Sequence, residues 1–179
     1  NMYLYINNGL VNYFYRRVAA ILYRIALGHK HLKIIFQNPS DLKLVSKVSK
    51  LNKENALLIK GSGVDLSEFS FSPLPEGVPI VMLASRMLVD KGVREFVDAA
   101  KYLNSDDISA RFVLVGEPDR ENNASLTIDE INEWVESKDI EYWGHSKNMS
   151  HTLKQASIIV LPSYREGMPK VLLEASAVG

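Results

Sequence analysis

Ile80-Val81-Met82-Leu83-Ala84-Ser85-Arg86-Met87-Leu88-Val89-Asp90-Lys91-Gly92-Val93 decides the fold. The stretch opens on a continuous apolar run, crosses a loop with two cations, and enters a helical repeat. Val93, Phe96, Val97, Ala100 and Leu103 are spaced for one helix face. A strand apolar at every position is buried on both faces, as in a parallel sheet covered by helices. The same unit recurs downstream. Phe112-Val113-Leu114-Val115 reads as a strand ending at Gly116, and Leu126 to Val135 as a helix with Ile128, Ile131 and Val135 as its apolar stripe. Ile140-Glu141-Tyr142-Trp143 is a third strand, Ser150 to Ala156 a short helix, and Ile158 to Leu161 a fourth strand. Alternating strands and helices predict an α/β fold, a Rossmann-like parallel sheet with flanking helices. Ligands of such sheets bind beyond the carboxyl ends of the strands. The loops after Ala84, Val115, Trp143 and Pro162 are therefore where the chemistry is expected.

Upstream of Ile80 the pattern is less regular. Residues 67–79 hold Pro73, Pro75 and Pro79 with Gly77, which predicts a linker and a domain boundary. The expected organisation is an N-terminal part over 1–66, the linker over 67–79, and an incomplete ligand-binding domain over 80–179. Within the first part, Leu32 to Phe36 and Ala56 to Lys60 read as strands, and Ser40 as the cap of a helix from Asp41 to about Lys50. Leu10 to Leu27 is rich in aromatic and aliphatic residues but is interrupted by Arg16, Arg17 and Arg24. That is too broken to span a bilayer. An amphipathic helix packed on a protein core is favoured over one lying on anionic lipid.

Composition sets further bounds. The 179 residues are 46% hydrophobic and 23% charged, enough for a folded core. Basic and acidic residues balance at 21 each, which argues against a general nucleic-acid binder. Residues 1–40 nevertheless contain no Asp or Glu, whereas Arg16, Arg17, Arg24, Lys30 and Lys33 fall there. There are no cysteines, hence no disulfide and no thiolate metal site, which fits a reducing compartment. No signal peptide is evident. The chain starts at Asn1 and stops at Gly179 within an apparent helix, so it reads as a piece of a longer protein.

The candidate chemistry lies in two loops. Arg86 follows the first strand of the regular region, and Lys91 stands at the entry to the next helix. Two cations there can neutralise a diphosphate, above all one that is leaving; a surface cation and an ordinary salt bridge fit the spacing equally well. The second loop runs through Arg165-Glu166-Gly167-Met168-Pro169-Lys170-Val171-Leu172-Leu173-Glu174. Gly167 permits close approach of a ligand to the backbone. Pro169 suits the first turn of a helix. The N–H groups of Met168, Lys170 and Val171 would then face an anion or a sugar oxygen. Glu166 precedes the helix, and Glu174 lies roughly 7–8 Å further along its axis. That separation suits two hydroxyl-bearing parts of one extended ligand. A glycoside hydrolase pair is the rival reading of two carboxylates, but it leaves Arg86, Lys91 and the helix N-terminus unexplained. No Gly-x-Gly-x-x-Gly and no Walker loop is present, which sets aside dinucleotide oxidoreductases and P-loop enzymes.

These motifs resemble a family. Glu166-Gly167-Met168-Pro169 through Glu174, with seven residues between the glutamates, is similar to the two-glutamate signature of family-four (group 1) retaining glycosyltransferases of the GT-B fold. Ser85-Arg86-Met87-Leu88-Val89-Asp90-Lys91-Gly92 resembles that family's Gly-Arg-Leu…Lys-Gly loop, with Ser85 in place of the commoner glycine. Gly63-Val64-Asp65 resembles its Asn-Gly-Val-Asp crossover, and Val115-Gly116-Glu117-Pro118 its Val-Gly-x-Gly-Pro loop in shorter form. The resemblance covers about residues 30–179, in matching order.

The resemblance implies transfer of a sugar from a nucleotide-diphosphate sugar, a UDP-sugar as first choice, with retention of configuration and with neither cofactor nor metal. By resemblance, Arg86 and Lys91 hold the diphosphate and stabilise the leaving group, and Glu166 binds hydroxyls of the transferred sugar. Backbone N–H groups from Gly167 to Lys170 assist (Pro169 itself has none), Met168, Pro169 and Val171 belong to the same donor-binding turn, Glu174 binds the ribose, and residues around Trp143 line the base. The implied partner is a glycan or lipid-linked acceptor of bacterial capsule or lipopolysaccharide type, and the implied location is the cytoplasm, at the inner face of the membrane. Residues 1–60 correspond to the end of the acceptor-side domain, so this piece alone is expected not to transfer sugar. A non-catalytic nucleotide-sugar module and a sugar phosphorylase or hydrolase remain alternatives.

Overall fold

The structure is a computed structural model that describes residues 10–29, 31–49, 51–106 and 108–179. Expectations that fall on residues 1–9, on Lys30 and on the side chain of Arg16 lie outside the described residues. The chain forms two compact units, Asn1–Ser62 and Gly63–Gly179.

The first unit contains α1 (Leu10–Leu27), β1 (Ile34–Phe36), α2 (Pro39–Val48) and β2 (Ala56–Leu58). β1 and β2 pair in parallel, with Ile35 opposite Leu57. Both strands are shorter than the apolar runs that predict them. The cap of α2 is Asn38, not Ser40: the Asn38 side chain accepts the Asp41 N–H at 2.7 Å, and Pro39 fills the first helical position. A proline there gives up an N–H that the helix leaves unbonded anyway, so the helix starts earlier than the Ser40 reading. Along α1 the exposed apolar residues include Tyr13, Phe14, Tyr15, Ile21, Leu22 and Ile25. Among the described residues no helix is long and apolar enough to cross a membrane.

The second unit carries the regular pattern. β3 (Ile80–Ala84), β4 (Arg111–Val115), β5 (Glu141–Gly144) and β6 (Ile158–Ile159) form one parallel sheet in the order β5-β4-β3-β6. The helices are α3 (Val93–Ser105), α4 (Ile128–Glu136), α5 (Met149–Leu153) and α6 (Lys170–Val178). Side chains alternate across a strand, and here both faces find cover. Leu83, Phe112 and Leu114 point to one face and pack with Val93, Phe96, Val97 and Ala100 of α3 and Ile131 of α4. Ile80, Met82, Ala84, Val113 and Val115 point to the other and pack with Met149 and Val171 from α5 and α6. Two-sided burial is the physical reason that these strands are apolar throughout.

Three local expectations change. The stripe assigned to α4 is only partly inward: Ile131 is fully buried, whereas Ile128 and Val135 are exposed, and Leu126 ahead of the helix takes the core position. The helix starts at Ile128, later than the expected Leu126, because Thr127 caps it: its side chain accepts the Glu130 N–H at 3.2 Å. The segment expected as a linker belongs to the second unit. Phe69 is buried with Leu153 and Val178, the Ser72 N–H donates to Val178 O at 2.7 Å, and the Ser150 hydroxyl donates to Glu68 O at 2.7 Å. Prolines stiffen this stretch, but one aromatic side chain and a few backbone bonds fasten it down. The division falls earlier, between Ser62 and Gly63.

Candidate functional site

The loop after β3 is held by the loop after β4. Ser85 N–H donates to Val115 O (3.0 Å), Met87 N–H to Glu117 O (3.0 Å), Val89 N–H to Ala124 O (2.9 Å) and Leu126 N–H to Met87 O (2.9 Å). Gly116 makes this approach possible: at φ +135°, a Cβ there would lie 1.8 Å from Ser85 O. The backbone that carries Arg86 is thus fixed by bonds on both sides, although its side chain is 63% exposed.

Lys91 ends a short 3-10 turn over Val89–Lys91, and Gly92 caps it with a left-handed φ of 71°. Gly92 also sits against the chain leaving β6. A Cβ at Gly92 would lie 2.4 Å from Pro162 O, so only glycine lets the two loops meet. The Tyr164 N–H then donates to Asp90 O at 3.1 Å, and the Tyr164 hydroxyl bonds the Glu95 carboxylate of α3. The result is direct contact between residues 75 apart in sequence: Lys91 Nζ donates to Glu166 Oε1 at 2.6 Å. Both side chains are largely shielded, at 20% and 25% exposure. Burial works to raise the Glu166 carboxyl, but hydrogen bonds from Lys91 and Ser163, with the Lys91 charge, together outweigh that and hold it below its ordinary value. Among the described residues, Asp90 Oδ1 is buried without a hydrogen-bond partner, in the turn that carries Lys91.

The Glu166 turn leads into α6. Pro169 occupies the cap position (φ −72°, ψ 113°) rather than the first turn, and the helix begins at Lys170. The leading N–H groups are therefore those of Lys170, Val171 and Leu172, and the last of these already donates to Pro169 O at 3.2 Å. Glu174 is 7% exposed, and its carboxylate takes an ion pair from Lys170 at 3.2 Å. A buried carboxylate one turn into a helix is not the solvated residue that its sequence neighbourhood would allow.

A cavity of about 480 Å³ lies between the loops after β3, β4 and β5 and the first turns of α6, with neither Lys91 nor Glu166 in its lining. Arg86 and Asp119 line it together with Val171 and Glu174 from α6 and His145 and Ser146 from the loop after β5. In the same cavity Arg86 Nη1 donates to Asp119 Oδ2 at 2.8 Å. The structure thus gathers Arg86, Val171 and Glu174 around one space and pairs Lys91 with Glu166. Gly167, Met168 and Pro169 form the connecting turn. Trp143 does not line this cavity. Its Nε1–H donates to Glu141 Oε2 at 3.1 Å, and its ring packs against the second-face core and lines a separate cavity beside Arg111. Side chains alternate along β5, and the residues reaching the site come after its end, at His145 and Ser146. Sequence reasoning missed those two and Asp119. Only their position after strand carboxyl ends marks them in the sequence. Among the described residues, no group of three or more His, Cys, Asp or Glu side chains could hold a metal ion.

Two cations after β3 and two carboxylates after β6, one in the turn and one on α6, match a family pattern. Residues 78–179 fit the model described as Glycosyl transferases group 1. The chain belongs to that family. The chain is 32% identical, over 98% of its length, to the N,N'-diacetylbacillosaminyl-diphospho-undecaprenol alpha-1,3-N-acetylgalactosaminyltransferase of Campylobacter jejuni. It covers 47% of that relative, so the chain spans about half the relative's length. Its backbone is similar to WaaG, a glycosyltransferase involved in lipopolysaccharide biosynthesis, at a TM-score of 0.73 and 15% identity over 96% of this chain and 50% of WaaG. It is also similar to Anabaena HepE in complex with UDP, at a TM-score of 0.70 and 15% identity over 89% of this chain and 47% of HepE. At such identities the structural likeness speaks for the fold, and the α/β parallel-sheet architecture of GT-B glycosyltransferases is shared.

Proposed function

We propose that the full-length protein transfers a sugar from a nucleotide-diphosphate donor, a UDP-sugar first, to a lipid-linked or surface-glycan precursor with retention of anomeric configuration. The observation that carries this reading is the cavity with Arg86 and Asp119 on one wall and Val171 and Glu174 of α6 on another. A nucleotide diphosphate is an extended ligand with a charged middle, and such a space offers it a cation between hydroxyl acceptors. In this proposal Arg86 and Lys91 take the diphosphate. Their charge counts most as the sugar–phosphate bond breaks, because negative charge then collects on the departing oxygen. Lys91 exchanges part of its bond to Glu166 for the phosphate, which leaves the Glu166 carboxylate to hold hydroxyls of the transferred sugar. The N–H groups at the start of α6 supply further donors where the helix dipole favours negative charge. Glu174 accepts from the ribose. The acceptor is taken by parts of the protein beyond the Gly63–Gly179 unit.

The printed names of similar proteins support both classes: the Campylobacter relative acts on a diphospho-undecaprenol-linked acceptor, and HepE is bound to UDP, as a UDP-sugar donor requires. In this reading the reaction runs at the inner face of the cytoplasmic membrane, and the exposed aromatic residues of α1 are compatible with a peripheral contact there.

The test is a panel of UDP-, GDP- and ADP-sugars against the full-length protein, read by thermal shift. A ligand at a hundredfold excess over Kd stabilises the folded state by about 2.7 kcal/mol. Stabilisation by one base class, followed by product with the donor's anomeric configuration in NMR, is the expected result. No shift with any sugar nucleotide defeats the proposal. Release of free sugar without an acceptor would point to a hydrolase.

A further inference from the structure

We infer that Asp119 is the positioning residue for Arg86 and sets how strongly the site holds a nucleoside diphosphate. The inference rests on the diphosphate reading of the cavity proposed above. Arg86 has a fixed backbone but a long, mostly exposed side chain, 63% accessible. A side chain of that kind samples many rotamers, and a diphosphate that binds it must first collect it into one. Asp119 does that in advance. It is 33 residues away in sequence, on the loop after β4, and accepts from Arg86 Nη1 at 2.8 Å. The two residues line the same cavity as Glu174.

Asp119 is the fixed partner of the two. Its side chain is 28% exposed. Its N–H donates to Ser125 Oγ at 2.8 Å, and its carbonyl accepts the Asn122 N–H at 2.9 Å. Ser125 forms an antiparallel bridge with Leu88, and Leu126 N–H donates to Met87 O, so this loop is tied to the residues that follow Arg86. Asp119 therefore moves with the loop that it serves. The bond engages Nη1 alone. A guanidinium has five N–H donors in a planar fork, so donors remain for phosphate oxygens while the carboxylate holds the fork in place. Lys91 is held differently, by Glu166, which the proposed reaction needs for the sugar. Asp119 has no such second duty and can stay bonded to Arg86 throughout.

The experiment is calorimetric titration of UDP into the full-length protein as wild type, Asp119→Ala, Asp119→Glu, Arg86→Ala and the Arg86→Ala/Asp119→Ala double variant. Ordering a rotamer-rich side chain costs about two- to tenfold in affinity, so Asp119→Ala should weaken UDP by that factor. Asp119→Glu should recover part of the loss, because it restores a carboxylate. The double variant should match Arg86→Ala within about twofold, since a residue acting through Arg86 has nothing to act on once Arg86 is gone. A purely structural role for Asp119 would instead lower affinity by the same factor in both backgrounds, and that result overturns the inference. Tighter UDP binding by Asp119→Ala also overturns it, because Asp119 would then be competing with the phosphate. Arg86→Ala binding UDP like wild type would remove the diphosphate seat itself, a separate failure visible before Asp119 is considered.

Discussion

Replacing Lys91 with methionine removes one charge and keeps most of the side-chain volume. The bond lost is Lys91 Nζ to Glu166 Oε1 at 2.6 Å, between side chains 20% and 25% exposed. Exposed pairs contribute about 0–1 kcal/mol, and breaking a fully buried pair costs about 3–5 kcal/mol because the remaining charge is stranded. A pair with a fifth to a quarter of its surface in water falls between, at about 1–2 kcal/mol. Urea denaturation followed by circular dichroism reads that difference. The Lys91→Met/Glu166→Gln double variant should be more stable than Lys91→Met alone, because it strands no carboxylate. The pH dependence has a definite sign. Glu166 lies below its ordinary value in the folded chain, so its contribution is complete above the unfolded value of about 4.3 and is lost as pH falls through the native one. The gap between wild type and Lys91→Met should therefore be widest near neutrality and close as the solution is acidified below about pH 4. Equal stability of the two at pH 7, or a gap that grows on acidification, would refute the reasoning.

Gly92→Ala should cost about 1–2 kcal/mol for the left-handed backbone alone. It should cost more for the Cβ placed 2.4 Å from Pro162 O, and should weaken UDP binding because the Glu166 turn is pushed from Lys91; wild-type stability in the same urea experiment would contradict the close-approach argument. Glu166→Ala in the full-length protein should lower kcat by about a hundredfold or more, as does loss of a transition-state contact, and wild-type turnover would remove its proposed role. Glu174→Ala should raise the Kd for UDP far more than the Kd for pyrophosphate, since the proposed ribose contact is absent from the latter; parallel losses would argue for a general structural effect. Thr127→Ala deletes the cap bond to Glu130 N–H at 3.2 Å and should cost about 1 kcal/mol in the melt, with UDP affinity unchanged.

Much was legible in the chain itself. The runs Ile80–Ala84 and Phe112–Val115 are buried on both faces, and the repeat from Val93 to Ala100 covers one of them. These are local patterns, set by side-chain alternation and helical period, and they fix an α/β parallel sheet without knowledge of any long-range contact. The two-glutamate turn and the Arg/Lys loop were equally visible, because glycine, proline and charge at strand ends are local features. Errors came where a local pattern had competitors. Pro73 and Pro75 suggest a linker, but burial of Phe69 against Leu153 and Val178 is decided by residues far along the chain. Trp143 stands in the right strand, yet its indole N–H bonds Glu141 and its ring lines a different cavity.

By itself the sequence determined that this protein is a parallel α/β unit with cations and carboxylates on the loops where such sheets bind ligands. Only the tertiary structure decided which charges meet. The backbone gap at Gly92 lets Lys91 reach Glu166 across 75 residues. The pairing of the loops after β3 and β4 sets Asp119 against Arg86. Burial makes Glu174 part of a cavity wall instead of a solvated helix residue. Charge pairing depends on separations of a few ångströms between residues remote in sequence, and no local pattern encodes such distances.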